Sequence, residues 1–477
     1  MVYTASFSIR SPTVSLCAWL FSISAVGFQH ERQLQASSLC SPTMSAMIIR
    51  NGRVVDPANR RDEIADLYIS DGKVVDSKSE IREKLTRRGG KSQIEEIDAK
   101  GLIVAPGLID MHVHLREPGF SHKETIESGA RAAAAGGFTT IVCMPNTLPP
   151  ADNPSTIAWI KDRAAEVACV NVLPAGAISK GLAGEELAPI GSLAKAGVVA
   201  ITDDGHCIQN HEVMRRAVEY ARMVDLPVLD HCQDYNLVGN GVAHEGYWST
   251  LLGLPGWPAA GEEAIVMRNI LLAELCDHPI HCQHVTTAGS ARLLREARQR
   301  GVKISGEVCP HHVALTDEAI QNFDTNYKMN PPLRSQTDVD ALLESIADGT
   351  LSILCSDHAP HAAFEKEVEF DVAPFGIIGL ETELALFIDL LVHKHAKIDI
   401  ARLIEMYTVE PARLLKLDAG TLSPGSRADV TLIDPALKWT VNVDQFQSAS
   451  RNSPFDGWKL KGRAVRTIVG GTTVWKL

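Results

Sequence analysis

Nowhere does this chain gather enough lysine and arginine to neutralise a run of phosphates, and its 46 basic residues are outnumbered by 58 acidic ones, for a net charge of -12. That balance argues against a nucleic-acid partner; an anionic ligand would need a local cationic pocket. Also missing is any Cys-x-x-Cys pair. The 10 cysteines are scattered, several within apolar strand-like runs, the pattern of buried, reduced thiols in a cytoplasmic protein and not of a disulfide framework. Cys282 and Cys355 each stand two residues before a candidate ligand and read as small residues filling the same strand face. A membrane-length apolar run is absent too: "SLCAWLFSISAVGF" (15–28) is too short to span a bilayer, and with only Arg10 before it makes a poor signal sequence. No membrane role is expected. Residues 1–46 are read as an N-terminal extension, disordered or the product of a misplaced start codon, because Met47 opens the strand-like "MIIRNGRVVDP".

What is present is regular. From Met47 to about Ala105 short strands alternate with tight turns, "RNGR" and "SDGK" being Asn-Gly and Asp-Gly hairpin signals. "GSRADVTLIDP", "KWTVN" and "KGRAVRTIVGGTTVWKL" repeat that style near the other end. We therefore expect a small β-sandwich module built from both termini, residues 47–105 plus 422–477. Between them apolar runs alternate with helical stretches such as "HKETIESGARAAAAGG" and "SARLLREARQRG". Eight strands are predicted, over 107–114, 138–146, 171–179, 198–205, 227–234, 279–286, 303–312 and 351–361. The 477-residue chain thus has the fold class α/β, with a (β/α)8 TIM-type barrel at 106–421.

"GLIDMHVHLREPG" (107–119) ends the first of these strands with His112 and His114. Residues i and i+2 of a strand share a face, so both imidazoles would project together. His-x-His alone is a weak signal, but His112, His114, Asn146, Asp204, His231, His284 and Asp357 all fall at C-terminal strand ends, the face on which barrel enzymes build their sites. Four imidazoles and two carboxylates form a borderline-hard N/O set that suits Zn2+ better than Ca2+ or Mg2+. Asp204, between the His-x-His strand and the later His strands, is the candidate bridge between two ions; Asp203, its neighbour, would face the other way. Such a pair activates water and polarises a carbonyl, and Asp357 in "SDHAPH" could move the proton. The chemistry indicated is metal-assisted hydrolysis of a C–N bond.

His-x-His on strand one, single histidines on strands five and six and an aspartate on strand eight resemble the amidohydrolase superfamily. "DMHVHLREPG", "MPNT", "KMNPPLR", "SDHAPH" and "APFGIIGLET", in that order from Met47 onward, resemble its bacterial class I dihydroorotase family. That family interconverts dihydroorotate and N-carbamoyl-L-aspartate in pyrimidine biosynthesis. The resemblance implies one zinc on His112, His114 and Asp357, a second on His231 and His284, with Asp204 bridging. It also implies substrate contacts at His114, Arg116, Asn146, Asn330, His361, Phe375 and Gly376, and Asp357 as the catalytic residue. Arg116 offers a planar fork for a carboxylate. Many superfamily members bridge their ions with a carboxylated lysine on strand four; "AITDDG" has aspartates there, which speaks against a hydantoinase and leaves two ions expected or one. Homodimer formation and an aspartate transcarbamoylase partner stay open, as do two rivals: a dihydropyrimidinase or hydantoinase-like cyclic amidase, and an inactive transcarbamoylase scaffold. His311 and His312 are expected to be structural, and His206, His211 and His244 loop residues.

Overall fold

The computed structural model describes residues 46–87 and 94–477; the extension expected before Met47 otherwise lies outside the described residues. Strands β1 (Ala46–Asp56), β2 (Arg61–Ser70), β3 (Lys73–Val75), β4 (Ile94–Asp98) and β5 (Ile103–Pro106) come first. The parallel strands β6 (Leu108–Val113), β7 (Phe138–Cys143) and β8 (Asn171–Pro174) pair in chain order. A second parallel group joins β9 (Val228–Asp230), β12 (Ile280–Cys282), β13 (Ile304–Val308) and β14 (Ile353–Leu354), also in order. The pair β10 (Ala243–His244) and β11 (Gly256–Trp257) stands apart, and β15 (Val430–Thr440), β16 (Lys459–Val469) and β17 (Thr472–Lys476) close the chain.

Single parallel bridges connect the two groups. Gly176 pairs with Ile201, Ile201 with Val228, and Val113 with His358, so the pairing that leaves β8 passes through Ile201 to β9 and that leaving β14 returns to β6. The strand expected over 198–205 is thus reduced to bridges at Ile201. Met111, Val142, Ala175, Ala200, Leu229 and Ile353, one from each of six segments, form an apolar cluster with Leu415. A much larger core lies among the strands and their helices, from Leu108 and Phe138 to Leu403 and Tyr407.

The connections explain how strand ends come to carry functional side chains. Thr287, three residues beyond His284, caps the helix Ala288–Gln299 by accepting from Ser290 N at 3.0 Å. Thr125 caps Ile126–Gly136 in the same manner, and Gly137 ends that helix with a φ of 100°, a conformation that favours glycine. The segment between a strand's end and the next capped helix, short after β12 and longer after β6, is thereby left at the mouth.

The terminal strands form one continuous sheet ordered β17-β16-β15-β5-β1-β2-β3, with β4 on β1, where a two-layered sandwich was expected. "SDGK" is the hairpin turn read from sequence: Asp71 and Gly72 both have positive φ, and Ser70 pairs with Lys73. "RNGR" is not a hairpin. Arg50 and Asn51 make a bulge inside β1 opposite β2, and on its other edge β1 pairs with β4 up to Arg50 and with β5 from Arg53 onward. A Cβ on Gly52 would come within 2.4 Å of Val104 Cγ2, so the glycine admits β5 where the partner changes.

Candidate active site

A cavity of about 350 Å³ opens over the C-terminal ends of the parallel strands. Eleven of the twelve residues singled out from sequence line it: His114, Arg116, Asn146, Asp204, His231, His284, Asn330, Asp357, His361, Phe375 and Gly376. The twelfth, His112, is fully buried with its Nε2 3.2 Å from Asp204 Oδ1 and 3.4 Å from Asp357 Oδ1. His114 Nε2 stands 3.2 Å from both Asp204 Oδ2 and Asp357 Oδ1, so the two rings of the His-x-His pair address the same two carboxylates. His231 Nδ1 and His284 Nε2 lie 2.8 Å apart, at 3.6 and 3.8 Å from Asp204 Oδ1. Asp203 points elsewhere, accepting from the amides of Ile178 at 2.7 Å and Ser179 at 3.0 Å.

Neighbouring groups fix which ring nitrogen carries the proton. His112 Nδ1 is 2.6 Å from Glu307 Oε1, His114 Nδ1 2.9 Å from Asn146 Oδ1, and His231 Nε2 3.0 Å from Gln233 Oε1. Each of these acceptors holds an N–H on the outer nitrogen, so the inner nitrogen presents a lone pair to the centre, as a metal-binding imidazole requires. Glu307, whose other oxygen is 3.1 Å from His281 Nε2, is held well below the ordinary carboxylate range: burial opposes ionisation, but His112 and His281 outweigh it.

Two buried atoms at the centre, His112 Nε2 and Asp204 Oδ1, have no hydrogen-bond partner. Orphaned buried polar atoms are expensive unless something fills their valence. Here a lone pair faces a carboxylate oxygen, and the triads His112–Asp204–His284 and His112–His114–Asp357 each hold their donor atoms within 4.8 Å of one another. The donor set fits a divalent cation of the zinc type. Burial works against ionising Asp357, but His112, His114 and His284 around it keep its carboxyl below the usual value, so it is an anion at neutral pH.

Three residues here bend the backbone unfavourably: Arg116, His284 and Asp357 have φ of 60°, 32° and 48°. Non-glycine residues in that region cost about 1–3 kcal/mol each and persist where surrounding structure enforces them. Gly376 has a φ of 127°, and a Cβ there would lie 2.8 Å from Ala359 Cβ. Arg116 Nε donates to Pro360 O at 3.2 Å, which fixes the guanidinium plane beside the cavity. Burial lowers its pKa to about 10, with Asp357 and Asp204 opposing, so it stays charged at neutral pH.

Sequence reading missed Glu307, Gln283, Gln233 and the segment 448–452. An acid inside the apolar "KISGEVCPHH" was the available signal for Glu307. Nothing marked the segment 448–452, which was assigned to the β module; Asn452 donates to the carbonyls of Ala359 and Gly376, both at 3.1 Å, and Glu124 accepts from Ala449 N at 3.1 Å. His311 and His312 are buried beside the site and stay neutral, burial lowering His311 to about 4.

Solved structures share this fold. The L-hydantoinase (dihydropyrimidinase) from Arthrobacter aurescens matches 90% of this chain and 96% of its own with a TM-score of 0.79 at 24% identity. The D-hydantoinase from Bacillus sp. AR9 gives 0.76 at 25% identity, over 90% of this chain and 95% of its own. Residues 101–290 match the family described as Dihydro-orotase-like. Relatives named dihydroorotase indicate a metal-dependent cyclic-amide hydrolase. Proteins named dihydroorotase are similar to this chain over nearly their whole length: that of Syntrophotalea carbinolica is 48% identical over 431 residues (90% of this chain, 99% of the relative). That of Pelotomaculum thermopropionicum is 50% identical over 428 residues (90% and 98%). The chain belongs to the dihydroorotase family.

Proposed function

We propose that this chain interconverts (S)-dihydroorotate and N-carbamoyl-L-aspartate, using zinc held inside a (β/α)8 barrel of the TIM type. The observation that carries this reading is the convergence of His112 Nε2, His114 Nε2, His231 Nδ1 and His284 Nε2 on Asp204 and Asp357, at the floor of a cavity that Arg116 also lines. His112, His114 and Asp357 would hold one ion and His231 with His284 the second, Asp204 serving both. When bound, the ions supply Lewis acidity toward the scissile ring amide and make the attacking water more acidic.

The residues do the rest. Asp357 takes a proton from the water as its oxygen bonds to the ring amide carbon, and returns that proton to the ring nitrogen as the C–N bond breaks. The product gains a free carbamoyl NH2 and a carboxyl group, which releases the second water proton to solvent and becomes a carboxylate. Arg116 and Asn146 hold the carboxylate that ring and product share. Asn330, His361 and the backbone at Phe375 and Gly376 meet the ring's imide edge, and Glu307, Gln283 and Gln233 keep the imidazoles in register.

The barrel reading rests on the ring of parallel pairings through Ile201 and His358 and on the inner apolar cluster around Met111 and Leu229. We assign residues 106–421 to it and 47–105 with 422–477 to the β module, except that residues 448–452 serve the barrel's mouth. A cytoplasmic setting suits the eight described cysteines, all of them free; among the described residues no helix is long and apolar enough to cross a membrane. The test is a ring-opening assay on purified protein, read in both directions. Conversion of dihydroorotate with little turnover of dihydrouracil or hydantoin is expected; comparable rates on dihydrouracil would replace this reading with a dihydropyrimidinase.

A further inference from the structure

One wall of the cavity is a loop that contributes Pro374, Phe375 and Gly376. Its carbonyls are held from outside: His361 Nε2 is 2.8 Å from Phe375 O, and Asn452 Nδ2 donates to Gly376 O at 3.1 Å. Lys366, only 6% exposed, lies behind the loop, and its Nζ donates to Pro374 O at 2.8 Å, Gly376 O at 3.0 Å and Lys328 O at 3.4 Å. An ammonium has three N–H donors and no acceptor, so three convergent carbonyls match it donor for acceptor. Lys328, 2% exposed, adds a second tie: its Nζ donates to Asp371 O at 3.0 Å and sits 4.6 Å from the centre of the Phe375 ring. The loop is closed from the inside as well, since Gly376 N donates to Lys328 O at 2.9 Å.

We propose that Lys366, assisted by Lys328, is a positioning residue that fixes the substrate-facing loop 374–376 against the Lys328–Asn330 segment. Two segments that must each present a polar group to the ring, Asn330 on one side and Phe375–Gly376 on the other, are tied by the Gly376 N–Lys328 O bond and by the Lys366 side chain. Neither lysine lines the cavity, so the effect runs through loop position and not through contact with substrate. Charged donors are the stronger kind in a dry setting, and burying one is costly unless every donor is met. Burial beside Lys328 lowers the pKa of Lys366 to about 7, with Asp324 and Glu365 opposing.

The proposal rests on the dihydroorotase reading for its kinetic consequence but not for its structural one, so both are measured. In Lys366→Met, KM for dihydroorotate should rise about tenfold or more while kcat stays within about threefold, because ground-state positioning is lost and the proton-moving centre is intact. Metal content should match wild type. Lys366→Arg, which keeps a charged multi-donor head and can use the 720 Å³ open pocket that also borders Lys366, should recover KM to within about threefold. Hydrogen exchange without substrate should speed up about tenfold in the peptide 371–379 of Lys366→Met and not in the parallel strands. Unchanged KM and unchanged exchange, or an arginine variant as impaired as methionine, would overturn the proposal. If Lys366→Met does not fold, Lys366→Gln is read in the same way, with an intermediate effect expected and none contradicting it. Wild-type protein that leaves dihydroorotate intact, yet shows the exchange difference, would refute the functional reading and leave the clasp standing.

Discussion

Replacing Arg116 by methionine isolates the contribution of the one arginine or lysine that, among the described residues, lines the cavity beside the metal-binding centre. Its guanidinium is half-buried, oriented by the Pro360 carbonyl at 3.2 Å, and carried by a strained backbone with a φ of 60°. A substrate carboxylate placed there forms a charge-assisted pair screened from water. Deleting one partner of such a pair typically costs about 3–5 kcal/mol, because the other charge is left uncompensated. At about 1.4 kcal/mol per decade that is a loss of roughly 10²- to 4 × 10³-fold in kcat/KM for dihydroorotate. Uncharged rings offer nothing to pair with Arg116, so wild type should discriminate against dihydrouracil by roughly 10⁴-fold or more, and the variant should lose little of that residual activity. The assay is steady-state ring opening on dihydroorotate, dihydrouracil and hydantoin with both proteins. Equal losses on charged and uncharged rings would show that Arg116 acts on the fold or the metals, and no loss on dihydroorotate would refute the carboxylate assignment.

Other substitutions separate chemistry from metal retention. Asp357→Asn should abolish turnover while metal analysis still finds the ion held by His231 and His284, since the amide keeps the shape but cannot carry a proton. Asp204→Ala should instead deplete metal, read by elemental analysis after dialysis. Glu307→Gln should weaken metal affinity by about 10- to 100-fold, because the group that sets the His112 tautomer is altered. In metal-free protein Glu307 also contributes a pH dependence. Its folded pKa is depressed below the ordinary 4.5, so its stabilisation is present above about pH 4.5 and is lost as pH falls through the lower folded value. The melting difference between wild type and Glu307→Gln should shrink in acid; a difference that grows in acid would contradict the assignment.

The residues nearest the chemistry were legible because their signal is local. His112 and His114 share a strand face by period, and histidines and aspartates at successive strand ends have no other common reason to be there. What the sequence could not convey depends on long-range pairing. Asn51-Gly52 reads as a hairpin from local propensity, yet β1 runs on through it, bulged at Arg50–Asn51 against β2 and passing from β4 to β5 on its other edge. The fourth parallel strand, expected over 198–205, keeps only single bridges at Ile201, a thinning that the apolar "VVAIT" does not announce. Asn452 and Ser448 lie more than 70 residues from the loops they secure, at separations of 76 for Gly376 and 324 for Glu124. No local pattern encodes such contacts.

The central claim is that the histidine–aspartate cluster works by holding divalent metal for the opening of the dihydroorotate ring. Chelation followed by reconstitution tests it most directly: purified protein is stripped of metal, assayed on dihydroorotate, titrated with Zn2+ and assayed again with metal counted at each step. The account predicts no turnover in stripped protein and recovery that saturates as the site fills, at one or two ions per chain. Full turnover in protein shown to be metal-free, or a filled site that leaves dihydroorotate unopened, would contradict it.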